Sequence, residues 1–105
     1  MIYKGSCHCG MVNFEIETDL KNIKQCNCSI CKRKYVKMGM AKKEQIKVTK
    51  GSDNLALYQF GSNIAKHYFC KTCGIYTHHS RKSDPNGIGF NIGCLEDIDP
   101  FKHNS

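Results

Sequence analysis

Val12-Asn13-Phe14-Glu15-Ile16-Glu17 alternates apolar and polar residues with a period of two, the pattern of a strand with one face in a core and the other in solvent. Segments of similar character lie on both sides of it. Ile2 to Ser6 precedes it, and Ile23 to Gln25, Met38 to Ala41, Ile46 to Thr49, Leu55 to Phe60, Ala65 to Phe69, Gly74 through Thr77 and Ile88 to Cys94 follow. Lys42-Lys43-Glu44, Gly51-Ser52-Asp53-Asn54, Gly61-Ser62-Asn63 and Asp84-Pro85-Asn86-Gly87 separate them. Gly accepts positive φ, Pro presets its own φ, and Asn and Asp bond to nearby backbone, so the last three of these stretches read as turns. Only Ser29 to Lys34 has the character of a helical turn, with Ser as its cap, and no long helix is visible. The expected fold is mainly β: a small antiparallel arrangement of several short strands, built as a single domain over residues 1–105.

The cysteines sit at the ends of these segments. Three fall within six residues, Cys26-Asn27-Cys28-Ser29-Ile30-Cys31, and two pairs flank them, Cys7-His8-Cys9 and Cys70-Lys71-Thr72-Cys73. Seven of the eight cysteines are therefore in tight groups, with Cys94 apart. Neighbouring cysteines cannot easily bridge each other, and Met1-Ile2-Tyr3-Lys4 opens no signal peptide. The expected location is cytoplasmic, where thiols stay reduced and clustered cysteines bind metal rather than form disulfides. No apolar run is long enough to span a bilayer.

Seven ligands divide into four and three. A structural zinc is normally closed by four protein ligands, whereas a catalytic zinc often has three and keeps one position for water or substrate. Cys70-x-x-Cys73-Gly74 is a zinc-knuckle pattern, and Cys7-x-Cys9-Gly10 can complete it, because alternate residues of an extended segment project to one side. Cys7, Cys9, Cys70 and Cys73 are therefore the expected structural zinc site. Cys26, Cys28 and Cys31 remain for a second zinc with an open position, unless Cys94 or a histidine (His8, His67, His78 or His79) closes it. Two zinc ions are expected in all.

The formal charge is +7. Two thiolate-bound zinc ions lower it by three, to about +4, so the protein is only moderately basic. The basic residues are scattered and no nucleic-acid reader motif is present, which argues against that partner. The densest positive run, Lys32-Arg33-Lys34, directly follows the three-cysteine group and is a candidate for contacts to an anionic ligand.

Gly5-Ser6-Cys7-His8-Cys9-Gly10, Cys26-Asn27-Cys28-Ser29-Ile30-Cys31, His67-Tyr68-Phe69-Cys70-Lys71-Thr72-Cys73-Gly74 and Asn91-Ile92-Gly93-Cys94-Leu95 together resemble the glutathione-dependent formaldehyde-activating enzyme family, also called the GFA or centromere-protein-V (CENP-V) family. The match runs from about residue 3 to residue 100, in a short form that stops soon after Asp99-Pro100-Phe101. The resemblance implies a zinc-bound β fold shared with a Rab exchange-factor superfamily. It also implies a structural zinc on Cys7, Cys9, Cys70 and Cys73, and a catalytic zinc on Cys26, Cys28 and Cys31.

The expected activity is that of a carbon-sulfur lyase resembling S-(hydroxymethyl)glutathione synthase, with glutathione as co-substrate. The open zinc position would take a thiol and hold it beside an aldehyde such as formaldehyde. A free thiol with a pKa near 8.5 is a few per cent ionised at pH 7, so ionisation gains at most about 30-fold, and positioning must supply the rest. The alternatives are a lyase acting on another thiol adduct, and a non-enzymatic zinc module that binds a protein partner.

Overall fold

The computed structural model describes residues 1–25, 28–61, 63–81 and 85–103. Among them are nine strands in two antiparallel sheets, one four-residue α-helix and four 3-10 turns. The expectation of a mainly β fold without a long helix is met.

The first sheet has the order β1-β2-β5, from β1 (Ile2–Ser6), β2 (Asn13–Glu17) and β5 (Ile46–Lys50). Alternation in β2 buries Phe14 and Ile16 and leaves Glu17 in water. Val12 precedes the strand proper and is buried with Cys7 and Cys70 in a separate small cluster.

The second sheet has the order β3-β4-β9-β8-β7-β6. Its strands are β3 (Ile23–Lys24), β4 (Met38–Lys42), β6 (Leu55–Tyr58), β7 (Lys66–Cys70), β8 (Tyr76–Ser80) and β9 (Gly87–Asn91). Register sorts its residues into two rows. Gly39, Phe90, His78 and Tyr68 are aligned across four strands, and this row faces the core, where Phe90 packs with Phe14, Ile16, Ile88 and Ile92. Gly39 makes room for it: a Cβ there would lie 2.1 Å from Phe90 Cζ. The adjacent row, Met40, Gly89, His79, His67 and Tyr58, takes the opposite face, because side chains alternate along every strand.

After β9 the chain returns to the first sheet. Leu95 bridges Gly5, and the Glu96 amide donates to the Lys4 carbonyl at 2.8 Å. The two sheets are thereby joined at β1.

Several boundaries differ from the sequence-based expectation. The strand expected from Gly74 through Thr77 starts at Tyr76 and runs to Ser80, because residues 71–75 form the turn that follows Cys70 and carries Cys73. The strand expected to reach Phe60 ends at Tyr58, which pairs with His67. β9 ends at Asn91, whose side chain accepts from the Gly93 amide at 2.9 Å and starts a 3-10 turn over Ile92–Cys94. The helical turn is α1 (Cys31–Lys34), and Ser29 does not cap it: Ile30 takes the N-cap position without a side-chain bond. Ser29 instead accepts from Arg33 Nη1 through its carbonyl, at 2.6 Å.

Candidate metal centre and the adjoining cleft

Cys7, Cys9, Cys70 and Cys73 come together from opposite ends of the chain, with their sulfurs all within 4.8 Å of one another. Two backbone turns aim them. Cys7 follows β1 and is tied by its amide to the Val12 carbonyl at 3.0 Å, with Gly10 at φ +83° completing the bend. Cys70 ends β7, its amide bonds the Ile75 carbonyl at 3.0 Å, and Gly74 at φ +76° bonds back to the Cys70 carbonyl at 2.9 Å. Both glycines hold a left-handed conformation that other residues adopt at a cost.

The spacing suits a tetrahedral ion. Cys7 and Cys9, and Cys9 and Cys70, have sulfurs 3.6 Å apart, whereas four sulfurs at ~2.3 Å from one zinc stand about 3.8 Å apart. Donors already point at the sulfurs. The Val12 amide reaches Cys7 Sγ at 3.3 Å, and Thr72 N and Asn54 Nδ2 reach Cys70 Sγ at 3.4 Å each. Backbone amides hold the Cys70 thiol below its ordinary range, and hold Cys73 down to about 6. Met11's amide also lowers Cys9, but burial and the sulfurs of Cys7, Cys70 and Cys73 outweigh it and push Cys9 up to about 11. Four thiolates this close repel one another unless a cation lies between them. The group could hold one metal ion.

The three-cysteine group is visible through two members, since Cys26 lies outside the described residues. Cys28 is exposed and Cys31 half-buried. Cys28 is three residues before Cys31, and its carbonyl accepts from the Lys32 amide at 3.0 Å. Both are charge neighbours of Tyr76: burial, then negative charge at Cys31 and Cys28, push the Tyr76 hydroxyl far above the usual phenol range.

Beneath α1 lies the outer row of the second sheet. His67 and His79 are cross-strand partners with ring centroids 5.6 Å apart. Tyr76 Oη and His67 Nδ1 share a hydrogen bond of 3.1 Å, and Lys34 Nζ sits 3.6 Å from the centre of the Tyr76 ring. Phe60 and Tyr58 continue the stack outward. Beside this row a cleft of about 660 Å³ opens, with Cys31, Lys34, His79, Arg81, Lys24 and Met40 among its walls. Gly89 makes room for the His79 ring, since a Cβ there would fall 2.4 Å from His79 Cε1.

The family model for the glutathione-dependent formaldehyde-activating enzyme, GFA, matches residues 2–105. The chain belongs to the GFA family. This GFA protein is also similar to the crystal structure of a Rhodobacter sphaeroides protein solved as a structural-genomics target. The identity is 45%, the TM-score 0.90, and the match covers 93% of this chain and 92% of that one.

The structure separates the GFA protein's basic run. Lys34 enters the cleft, Arg33 lies by Ser29, Tyr58 and Phe60, and Lys32 is exposed. Successive helical residues point about 100° apart, which sets the three side chains in different directions. Among the histidines considered as a fourth ligand, His67 and His79 lie on the face under α1. His78 is on the core face, stacked on Tyr68 at 4.7 Å, and His8 is exposed. Cys94 is buried in the core with its Sγ donating to the Tyr76 carbonyl at 3.7 Å. Burial, then the charges of Cys7 and Cys73, push it up to about 12, so it faces the four-cysteine side. Tyr76, Lys24 and Arg81 were not legible as site residues. Their places depend on strand register, which no local spacing reveals.

Proposed function

We propose that this protein is a zinc-dependent carbon-sulfur lyase that makes or breaks the adduct of a small thiol, such as glutathione, with an aldehyde such as formaldehyde. In this reading the whole of 1–105 is one zinc-binding domain of the reducing cytoplasm and carries two zinc ions. The observation that supports it is the contrast between the two cysteine groups. One is a compact set of four sulfurs that leaves no position for a substrate, whereas Cys31, beside an exposed Cys28, opens onto a cleft large enough for a small peptide.

A zinc ion on Cys26, Cys28 and Cys31 would offer one open position, at which a thiol ionises at neutral pH. The protein's own residues do the positioning. α1 carries Cys31 and Lys34 over the cleft, and Val36, Met38 and Met40 form an apolar wall that limits water. His79 is neutral, because burial, helped by the charge of Lys34, lowers its pKa to about 3; it can hydrogen-bond a substrate without adding charge. In the direction of synthesis the thiol gives its proton to water and its sulfur bonds the carbonyl carbon. The C=O π pair moves to oxygen, which takes a proton from water. The reverse breaks the S–C bond and is the lyase direction. Holding thiol and aldehyde together supplies most of the acceleration, since ionisation alone is worth at most about 30-fold.

Exchange spectroscopy on carbon-13 formaldehyde mixed with glutathione tests this reading. The reduced, zinc-loaded protein is expected to speed interconversion of free aldehyde and hydroxymethyl thioether, and Cys28→Ser to abolish the effect. An exchange rate unchanged by the wild-type protein would overturn it.

A further inference from the structure

We infer that a second cavity, beside the C-terminal turn, holds an uncharged apolar group, aryl or branched alkyl, carried by the aldehyde, so that the second reactant is larger than formaldehyde. This rests on the reading of the Cys31 cleft as the thiol site, and it names the class of the other reactant. The covalent step is unchanged. The thiol sulfur bonds the carbonyl carbon, the C=O π pair moves to oxygen and takes a proton from water, and the thiol proton goes to water.

This cavity, of about 570 Å³, adjoins the Cys31 cleft, and Gln25 and Val36 wall both. Formaldehyde would leave most of it empty; the volume is that of a site for a small organic ligand. Several polar residues line it, yet their hydrogen bonds are spent within the protein. The Ser6 hydroxyl donates to the Cys7 carbonyl at 2.7 Å, and Lys37 Nζ donates to the carbonyls of Pro100, at 3.0 Å, and His103. Asn91 Nδ2 donates to the Tyr76 carbonyl at 2.9 Å, Asn91 Oδ1 accepts from the Gly93 amide, and the Cys94 thiol donates to the same Tyr76 carbonyl. No carboxylate is among the described residues that line the cavity. A charged group entering it would lose its water and meet, as its one cation, a Lys37 already held by two carbonyls. An apolar group gains by leaving water for the surfaces of Val36, Ile75 and Pro100.

Two aromatic rings complete the argument. Tyr35 and Phe101 both line the cavity, yet they are 82% and 91% exposed. They come from separate elements, Tyr35 from the end of α1 and Phe101 from the 3-10 turn over Pro100–Lys102. Each backbone is tied in place. Tyr35 sits at φ +50° with its amide bonded to the Cys31 carbonyl at 3.0 Å, a left-handed conformation that a bulky residue adopts at a cost. The Phe101 amide donates to Asp99 Oδ1 at 3.0 Å, and Lys37 holds the same turn down. An aryl or branched alkyl group seated here would cover both rings. The shared wall at Gln25 and Val36 is the direction in which its carbonyl end would reach the thiol.

The test uses reduced, zinc-loaded protein labelled with nitrogen-15 and three probes: hydrocinnamaldehyde, hydrocinnamyl alcohol, and the para-carboxylate of that alcohol. Hydrocinnamyl alcohol, which keeps the skeleton and lacks the carbonyl, is expected to shift the amide signals of Ile75, Gly93 and Phe101 saturably. The para-carboxylate should bind about tenfold or more weakly, since its charge finds no free partner. In Tyr35→Asn/Phe101→Ser, binding of the alcohol should weaken about tenfold, the worth of two aromatic contacts. Both side chains are exposed and Asn tolerates the left-handed conformation, and unchanged metal content and Tm show that the variant is folded. Shifts that are absent or centred on Met38 and His79 overturn the inference, as do equal binding of the para-carboxylate and undiminished binding in the double variant. Exchange spectroscopy with glutathione separates this inference from the lyase reading. The protein is expected to speed exchange between hydrocinnamaldehyde and its hemithioacetal, and the double variant to lose about tenfold of that effect. Acceleration with formaldehyde alone overturns the inference and spares the lyase reading. No acceleration with either aldehyde, while the alcohol still shifts Ile75 and Gly93, overturns the lyase reading and leaves the apolar site standing.

Discussion

The imidazole of His79 lies directly against Gly89, its cross-strand partner on β9, so closely that a Cβ at position 89 would be 2.4 Å from Cε1 and 2.9 Å from Nε2. A histidine facing a bare Cα shows how its ring is seated: one strand gives up its side chain so that the next can place a ring there. Gly89→Ala is expected to displace the ring and cost about 1 to 3 kcal/mol, the usual penalty for overpacking. Urea unfolding measures this. In Gly89→Ala/His79→Ala the clash is gone, so the double variant should be less destabilised than the sum of the single changes. Additive costs would place the ring elsewhere.

Cys70 is fully buried and receives two hydrogen bonds on its sulfur besides its place in the four-cysteine group. Binding of a structural zinc contributes on the order of 10 kcal/mol, comparable to the ~5 to 15 kcal/mol stability of a whole domain. Cys70→Ser is expected to lose one metal ion and cooperative thermal unfolding together. A variant that keeps the wild-type Tm would show that this group does not hold the fold.

Tyr76 Oη is the hydrogen-bond partner of His67 Nδ1. Tyr76→Phe leaves that buried nitrogen without it and is expected to cost about 1 to 3 kcal/mol. The four-cysteine metal centre should be unaffected. Chemical denaturation and metal content, read side by side, check both halves.

Stability should fall as the pH falls through a defined window. Burial lowers His78 to about 4, and burial followed by the charge of Lys34 lowers His79 to about 3, against ~6.5 for free imidazole. Between those limits the unfolded chain binds protons that the folded chain refuses, so stability rises with pH. It is fully present above about pH 6.5 and is lost as pH falls toward the folded values, by about 1.4 kcal/mol per pH unit for a buried histidine such as His78. Ring NMR signals of both histidines are expected to stay flat from pH 7.5 to 5, and His78→Gln should lower the pH slope of unfolding by about one proton. Titration of the His78 ring near 6.5 in the folded protein would contradict this.

What the sequence made legible was local. Alternation from Val12 to Glu17 announced β2 because period two survives wherever one face is buried, and the Cys7-x-Cys9 and Cys70-x-x-Cys73 spacings announced the closed group because their ligands lie within one turn each. What stayed hidden depends on register between distant strands. His67, His79, Gly89 and Met40 form one row only after four strands have paired, and Lys24 and Arg81 reach one cleft from β3 and the end of β8, with β4 and β9 between them. The Lys32-Arg33-Lys34 run is adjacent in sequence, and α1 sets its members in different surroundings. The start of β8 was misplaced because Gly74 and Ile75 belong to the knuckle turn, which looks apolar and strand-like when read alone.

The central claim is that the second cysteine group holds a metal ion with a position open to a thiol. Native mass spectrometry of freshly reduced protein, with and without glutathione, tests it most directly. The account requires two zinc ions per chain and a glutathione adduct that disappears, together with one of the two ions, in Cys28→Ser. A single zinc ion in the wild-type protein, or an adduct that persists undiminished in Cys28→Ser, would contradict it.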